Sequence, residues 1–226
     1  MASTTKIERR SGLCVAIDEK DEARAMAIAR AVRGTADVVK VGTPTVLANG
    51  LAIVKRLAIE SGAPVICDFK IADIPPISAS VAEAALEAGA SGVIAHAFAG
   101  SDTLRAVAEV AHKHGALAIA VVEMSHEGGK EFTQPAAEAM LKAALAAGMD
   151  GIVAPATRPE RIKALKAGAG SKLLVFSPGA GAQGGSPQGA ARAGADFVIV
   201  GRAITQAPDI AAAAKAAAAE IGKGRR

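Results

Sequence analysis

The run Asp68-Phe69-Lys70-Ile71-Ala72-Asp73-Ile74 follows directly on Pro64-Val65-Ile66-Cys67, so a segment that reads as a buried strand ends in three charges. Strand side chains alternate between faces, which sends Asp68 and Lys70 one way and Phe69 the other, with Asp73 in the turn beyond. Lys40, at the end of another apolar run, adds a second ammonium. Alternating charges favour one another's ionised forms, and such a site keeps a lysine protonated and ready to donate. Each attractive contact is worth about 4 kcal/mol at an effective dielectric of 20, before desolvation is set against it. A surface ion pair is the plainer alternative for any two of these residues. Convergence of Lys40, Asp68, Lys70 and Asp73 argues for chemistry.

A second group comes late in the chain: Ser177-Pro178-Gly179-Ala180-Gly181-Ala182-Gln183-Gly184-Gly185, then Val200-Gly201-Arg202. A Gly-rich loop with an arginine at the next strand end can grip an anion such as a phosphate through backbone N–H groups and a guanidinium. The loop's length and composition also suit a lid. Asp18, His96, Glu123 and Ser125 stand at or just past other strand ends. A lone strand-end histidine is more often hydrogen-bonded in place than catalytic, and Glu123 reads equally well as a structural partner for a nearby cation.

Something must bring these distant residues together. From Leu13 onward the chain repeats an apolar strand, a polar strand end and an amphipathic helix. Strands are expected at 13–18, 38–41, 65–70, 92–96, 118–123, 151–154, 173–177 and 197–201. Helices are expected at 21–32, 46–61, 78–88, 101–114, 135–147 and 158–167, with a short helix before Gly194 and an Ala-rich one after Pro208. Gly89, Gly115, Gly148 and Gly194 follow helix ends, where glycine supplies a left-handed cap. Eight such units predict an α/β fold, a closed (β/α)8 TIM barrel in which all strand ends face one mouth. An open doubly wound sheet is the alternative, but Asp18-Glu19-Lys20-Asp21 is unlike the Gly-x-Gly-x-x-Gly turn such a fold places after its first strand.

Composition sets bounds. With 226 residues and 51% hydrophobic content the chain fits one barrel domain, residues 1–226, with basic tails at about 1–10 and 222–226. Much of the formal charge of +4 sits in those tails, which read as frayed, so nucleic acid is not implied. Trp and Tyr are absent and Phe numbers 5, leaving almost nothing on which to stack unpaired bases. Cys14 and Cys67 lie in apolar runs without disulfide or zinc spacing, and neither end carries a leader or membrane pattern. A soluble, cytoplasmic protein of a reducing compartment is expected.

With these motifs in place, the sequence resembles orotidine 5′-monophosphate decarboxylase in its short, archaeal form, over nearly the whole chain from Leu13. Asp68-Phe69-Lys70-Ile71-Ala72-Asp73-Ile74 matches the family's Asp-Phe-Lys-x-Ala-Asp-Ile, supported by Glu123-Met124-Ser125-His126 and by the Ser177 to Gly185 loop. The resemblance implies a homodimeric barrel that removes CO2 from orotidine 5′-monophosphate to give UMP in pyrimidine biosynthesis, with no metal or organic cofactor. It implies Lys70 as proton donor to pyrimidine C6 and Asp68 beside the departing carboxylate. Asp73 and Ile74 would reach the site from the other subunit. Asp18 and Lys40 match positions that hold the ribose and the charge network, Ser125 the residue bonding the pyrimidine, and Gln183 with Arg202, flanked by Pro178 and Gly201, the phosphate grip.

The chain departs from the pattern in places. Ile77 replaces a Thr that helps to bind ribose across the interface, and Ser78 is the available substitute. Glu127 stands where Pro commonly follows Ser-His, and Ala180 replaces Val. Relatives that use Mg2+ and an enediolate, 3-keto-L-gulonate 6-phosphate decarboxylase and hexulose 6-phosphate synthase, share Asp-x-Lys-x-x-Asp. They carry Glu where this chain has Lys40, and a hard divalent cation wants oxygen there. A non-catalytic sensor of phosphate ligands on the same scaffold is the other rival, disfavoured by the intact Asp68, Lys70 and Asp73 set.

Overall fold

A computed structural model describes residues 7–226. The chain runs β1 (Leu13–Ile17), α1 (Glu22–Ala31), β2 (Val38–Gly42), α2 (Thr43–Asn49), α3 (Ile53–Ser61), β3 (Val65–Ile71), α4 (Pro75–Glu87) and β4 (Gly92–His96). A short 3-10 turn, Ala97–Ala99, leads to α5 (Ser101–Lys113), β5 (Leu117–Val121), α6 (Gly129–Ala146), β6 (Gly151–Val153) and α7 (Pro159–Ala169). β7 (Leu174–Ala180), α8 (Pro187–Arg192), β8 (Phe197–Val200), α9 (Arg202–Thr205) and α10 (Ile210–Gly224) complete it. Each strand pairs in parallel with the next and β1 closes on β8, so the expected (β/α)8 barrel is present and the open sheet is not.

Alternation along the strands builds two apolar layers. Cys14, Val38, Ile66, Ile94, Ile119, Phe176 and Phe197 point inward, and Phe176 stacks on Phe197 with ring centroids 4.9 Å apart. The barrel interior is therefore a packed core rather than a pore. Leu13, Val15, Ile17, Val39, Val65 and their equivalents point outward against Ile28, Leu57, Leu104, Leu141 and Leu165 of the surrounding helices.

At the floor, the amino end of the strands, an aspartate precedes each of β2, β6 and β8. Asp37 Oδ2 accepts the N–H groups of Arg10, Ser11 and Gly12 at 2.9, 2.9 and 2.6 Å. Asp150 Oδ2 accepts from Ala118 N–H at 2.8 Å and meets His112 Nε2 at 3.0 Å. Asp196 Oδ2 accepts from Val175 N–H at 2.9 Å and Lys166 Nζ at 2.7 Å, and its Oδ1 pairs with Arg9. Arg225 reaches the Ser11 and Asp196 carbonyls at 3.1 and 2.6 Å, in space left by the missing side chain of Gly12. The expectation of frayed tails is thus corrected for Arg9, Arg10 and Arg225, which tie both ends of the chain to this floor; Lys6 lies outside the described residues. Their partners are carboxylates and, for Arg225, backbone carbonyls distant in sequence, so the cations looked unpaired.

Helix boundaries moved where glycine and proline intervene. The expected helix at 46–61 is two, α2 and α3, because Gly50 takes φ 75°. α2 begins earlier than expected, with Pro44 in its first turn, and α4 begins at Pro75 for the same reason: proline is pre-set for the first helical positions. α6 starts at Gly129 and carries Pro135 inside it, although proline had read as the start. A Cβ on Gly129 would press on the Met124 carbonyl, so only glycine admits the preceding loop so close.

Candidate active site

Asp68 Oδ1 and Oδ2 accept from Lys70 Nζ at 2.8 and 2.9 Å, but simple strand alternation is not what unites them. Pairing with β4 shifts register between Cys67 and Ile71, and Lys70 takes φ 49°, the positive-φ position among described non-glycine residues. A bulge re-aims a side chain at local conformational cost. Lys40 Nζ lies 2.9 Å from Asp68 Oδ2 and 3.7 Å from Asp18 Oδ1. The array within one chain is therefore Asp18, Lys40, Asp68, Lys70. Gly42 makes it possible: a Cβ there would collide with the Asp18 carboxylate.

Burial grades the array. The side chains of Lys40 and Asp68 are 8% and 9% exposed, and that of Lys70 is 38% exposed. Burial opposes ionisation of Asp68, yet the Lys40 and Lys70 ammonium groups outweigh it and hold the carboxyl below its usual value. Burial likewise opposes charge on Lys40, and the Asp68 and Asp18 carboxylates reverse that and raise it. The inner pair stays ionised through the neutral range, while Lys70 is the member open to the cleft.

That cleft, about 570 Å³, lies at the carboxyl ends of the strands. Asp18, Lys40, Asp68, Lys70, Ser125, Pro178, Gln183, Gly201 and Arg202 all line it, so most of the expected site converges. Arg202 opens α9, is exposed, and has no ion-pair partner among the described residues, which leaves its guanidinium free for an anion. The glycine loop differs from expectation. The N–H groups of Gly181, Gly184 and Gly185 donate to carbonyls of the loop itself at 2.8, 2.8 and 3.1 Å, so these three do not point at a ligand. Positive φ at Gly179, Gly181 and Gly184 permits that internal folding.

Ser125 belongs to a braced loop. Thr157 Oγ1 donates to the Ser125 carbonyl at 2.9 Å, Arg158 donates to the Met124 carbonyl, and the Met124 N–H donates to Thr133 Oγ1 at 3.1 Å. Glu123, fully buried, receives Arg158 Nε at 3.0 Å and Arg161 Nε at 2.7 Å. It is a structural partner of cations, and it lies outside the cleft. His96 is buried, packs on Phe98 with ring centroids 4.6 Å apart, and leaves Nδ1 without a hydrogen bond. Burial first, then the nearby Lys70 charge, lowers its pKa from 6.5.

Two expected residues stand apart. Asp73 and Ile74 are exposed beyond β3 and do not line their own chain's cleft. Asp73 Oδ1 accepts the Ile74 N–H at 2.7 Å. Ser78 is not a substitute for a ribose-binding Thr: it is 0% exposed and its hydroxyl is committed to the Asp73 backbone at 2.9 Å. The helical turn that exposes Ile77 buries the residue after it. Sequence reasoning missed the apolar base of the cleft, Ile94, Val121, Val153 and Ile199, and the Thr157–Arg158 brace. The base had a signal, since Ile94 lies two residues before His96 on one strand face. The brace had only a partial one: Glu123 pointed to a nearby cation, but the Ser125 and Met124 carbonyls that Thr157 and Arg158 also hold leave no mark in the sequence.

A closed parallel barrel with an ion array at its mouth, and there an arginine without an ion-pair partner among the described residues, defines a (β/α)8 enzyme. Residues 11–217 match the model of the family described as Orotidine 5'-phosphate decarboxylase / HUMPS family, and the chain belongs to that family. It is 46% identical over 215 residues to orotidine 5'-phosphate decarboxylase of Methanosarcina barkeri, covering 95% of this chain and 96% of the relative. The Methanosarcina mazei protein of the same name is 48% identical over 215 residues, covering 95% and 97%. Among solved structures, orotidine 5'-monophosphate decarboxylase of Methanocaldococcus jannaschii complexed with inhibitor BMP superposes with a TM-score of 0.89 at 40% identity, covering 93% of this chain and 98% of the other.

Proposed function

We propose that this protein decarboxylates orotidine 5′-monophosphate to UMP and CO2, supplying pyrimidine nucleotides in the cytoplasm as a single-domain, homodimeric barrel. The observation that carries the reading is the Asp18–Lys40–Asp68–Lys70 array, with Lys70 Nζ 2.8 Å from Asp68 and open to the cleft that Arg202 flanks. In the reaction the bond between C6 and the carboxylate carbon breaks, CO2 leaves, and the electron pair stays on C6. Lys70 donates its proton there and is reprotonated from solvent. No cofactor serves as electron sink, so fixed charges must favour the transition state over bound substrate. Asp68 sits beside the departing carboxylate, Asp18 and Lys40 hold the ribose, Ser125 the pyrimidine, and Gln183 and Arg202, with Pro178 and Gly201, the phosphate.

Asp73 acts in the partner's site. Its position outside its own cleft supports this, as does an exposed apolar stripe beside it, Ile74, Ile77 and Val81, with Phe98 exposed on the next mouth turn. Such a stripe suits a two-fold interface in which each subunit completes the other's site. The Mg2+-dependent side of the family is disfavoured by Lys40, whose ammonium lies where a cation's oxygen ligand would be needed. Among the described residues no helix is long and apolar enough to cross a membrane, and both cysteines are buried and free. The test is loss of orotidylate absorbance with purified protein in excess EDTA; an unchanged spectrum, or turnover only after Mg2+ is added, refutes the reading.

A further inference from the structure

The turn that carries Asp73 is exposed, yet its peptide groups are gripped from beneath. The Asp73 carbonyl accepts two hydroxyls, Ser78 Oγ at 2.9 Å and Thr103 Oγ1 at 3.0 Å, and the Asp73 N–H lies 3.2 Å from Ser78 Oγ. Ser78 comes from the start of α4 and Thr103 from the start of α5. Both are buried, at 0% and 1% exposure, below a turn whose residues 72–74 are exposed. The two donors use both lone pairs of one carbonyl, and neither hydroxyl is left to reach a ligand.

Water would satisfy an exposed carbonyl without help from the protein, and exchanging water for a hydroxyl adds little net stability. The consequence is conformational. With the Asp73 peptide held at both its N–H and its carbonyl, and Pro75 and Pro76 fixing the entry to α4, the direction in which the carboxylate leaves β3 is set. Asp73 Oδ1 is tied to the Ile74 N–H, and Oδ2 has no partner among the described residues.

We propose that Ser78 and Thr103 are positioning residues for the neighbouring subunit's site, locking the Asp73 peptide so that its carboxylate meets the partner's charge array. The proposal rests on the reading of Asp73 as acting across a dimer. A misdirected carboxylate costs rate steeply, so Ser78→Ala with Thr103→Val should lower kcat/KM on orotidine 5′-monophosphate by roughly ten- to a hundredfold. Thr103→Ser keeps the hydroxyl and should retain parental activity where Thr103→Val does not, at matching Tm.

A heterodimer separates positioning in trans from a structural role. Lys70→Ala subunits are co-expressed with Ser78→Ala/Thr103→Val subunits under two tags, and the mixed dimer is isolated. One of its sites joins an intact Lys70 to an Asp73 held by intact hydroxyls, so activity should recover to roughly half the parental value per dimer. Activity no higher than that of the Ser78→Ala/Thr103→Val homodimer overturns the proposal, as does a homodimer with parental kcat/KM. A reference heterodimer of Lys70→Ala with Asp73→Asn tells the two readings apart. If it too is inactive, Asp73 does not act in trans and the positioning role falls with it; if it recovers while the first does not, only the positioning role falls. Should the double variant fail to fold, Thr103→Val alone takes its place against Thr103→Ser, with the same outcomes deciding.

Discussion

The mouth and the floor of this barrel both hold buried or half-buried aspartates among cations, but the donors differ. At the floor, Asp37, Asp150 and Asp196 each accept at least one backbone N–H as well as meeting side chains. At the mouth, among the described residues, Asp68 is met by the ammonium groups of Lys40 and Lys70 and by no other donor. A backbone donor is fixed by the course of the chain, in β5 and β7 for Asp150 and Asp196 and in the segment leading into β1 for Asp37, so a carboxylate bound to it is committed to the fold. Side-chain donors can exchange partners with a ligand, and a carboxylate held only by them is available for chemistry. Residue type therefore does not separate structural from reactive carboxylates; the identity of their donors does.

The sharpest way to break that contrast is at Lys70. Lys70→Ala should reduce kcat by at least about 10³-fold, since it removes the proposed acid, while Tm moves little because the residue is partly exposed. Activity within tenfold of the parent, in folded protein, would remove the mouth from the chemistry. Arg202→Ala comes next: kcat/KM for orotidine 5′-monophosphate should fall roughly 10²-fold, with little change for a phosphate-free analogue. Equal losses on both substrates would show that the arginine does not grip phosphate.

At the floor the pattern should invert. Asp37→Ala strands the N–H groups of Arg10, Ser11 and Gly12 and should cost about 2 kcal/mol of stability in denaturant titration, with kcat of the folded fraction unchanged. A loss of kcat without loss of stability would erase the distinction between the two ends. The smallest effect concerns pH. His96 has a folded pKa below its unfolded 6.5, so the unfolded chain binds more protons between those values, and stability, full above 6.5, declines as pH falls through that window. His96→Gln should flatten that part of the Tm against pH profile. The depressed Asp68 pKa predicts a separate loss only below its ordinary 3.8, present in His96→Gln as in the parent.

Strand number, parallel topology and the grouping of Asp18, Lys40, Asp68, Lys70, Ser125 and Arg202 were legible in the sequence, because they follow from short apolar runs that end in polar residues, and Gln183 was marked by the Gly-rich loop and the family resemblance. A barrel turns that local pattern into a shared mouth, so knowing the strand ends was enough to know most of the cleft. Three things were decided only by tertiary contacts. Lys70 reaches Asp68 through a bulge at φ 49°, which depends on how β3 registers against β4. Asp73 stands outside its own cleft, gripped by Ser78 and by Thr103 thirty residues away. The terminal arginines, which looked surplus as sequence, close on Asp37 and Asp196. In each case the deciding partner is a backbone group or a residue remote in the chain. Apolar periodicity reports which face of an element is buried; it carries no record of which particular donor meets which acceptor once the barrel has closed.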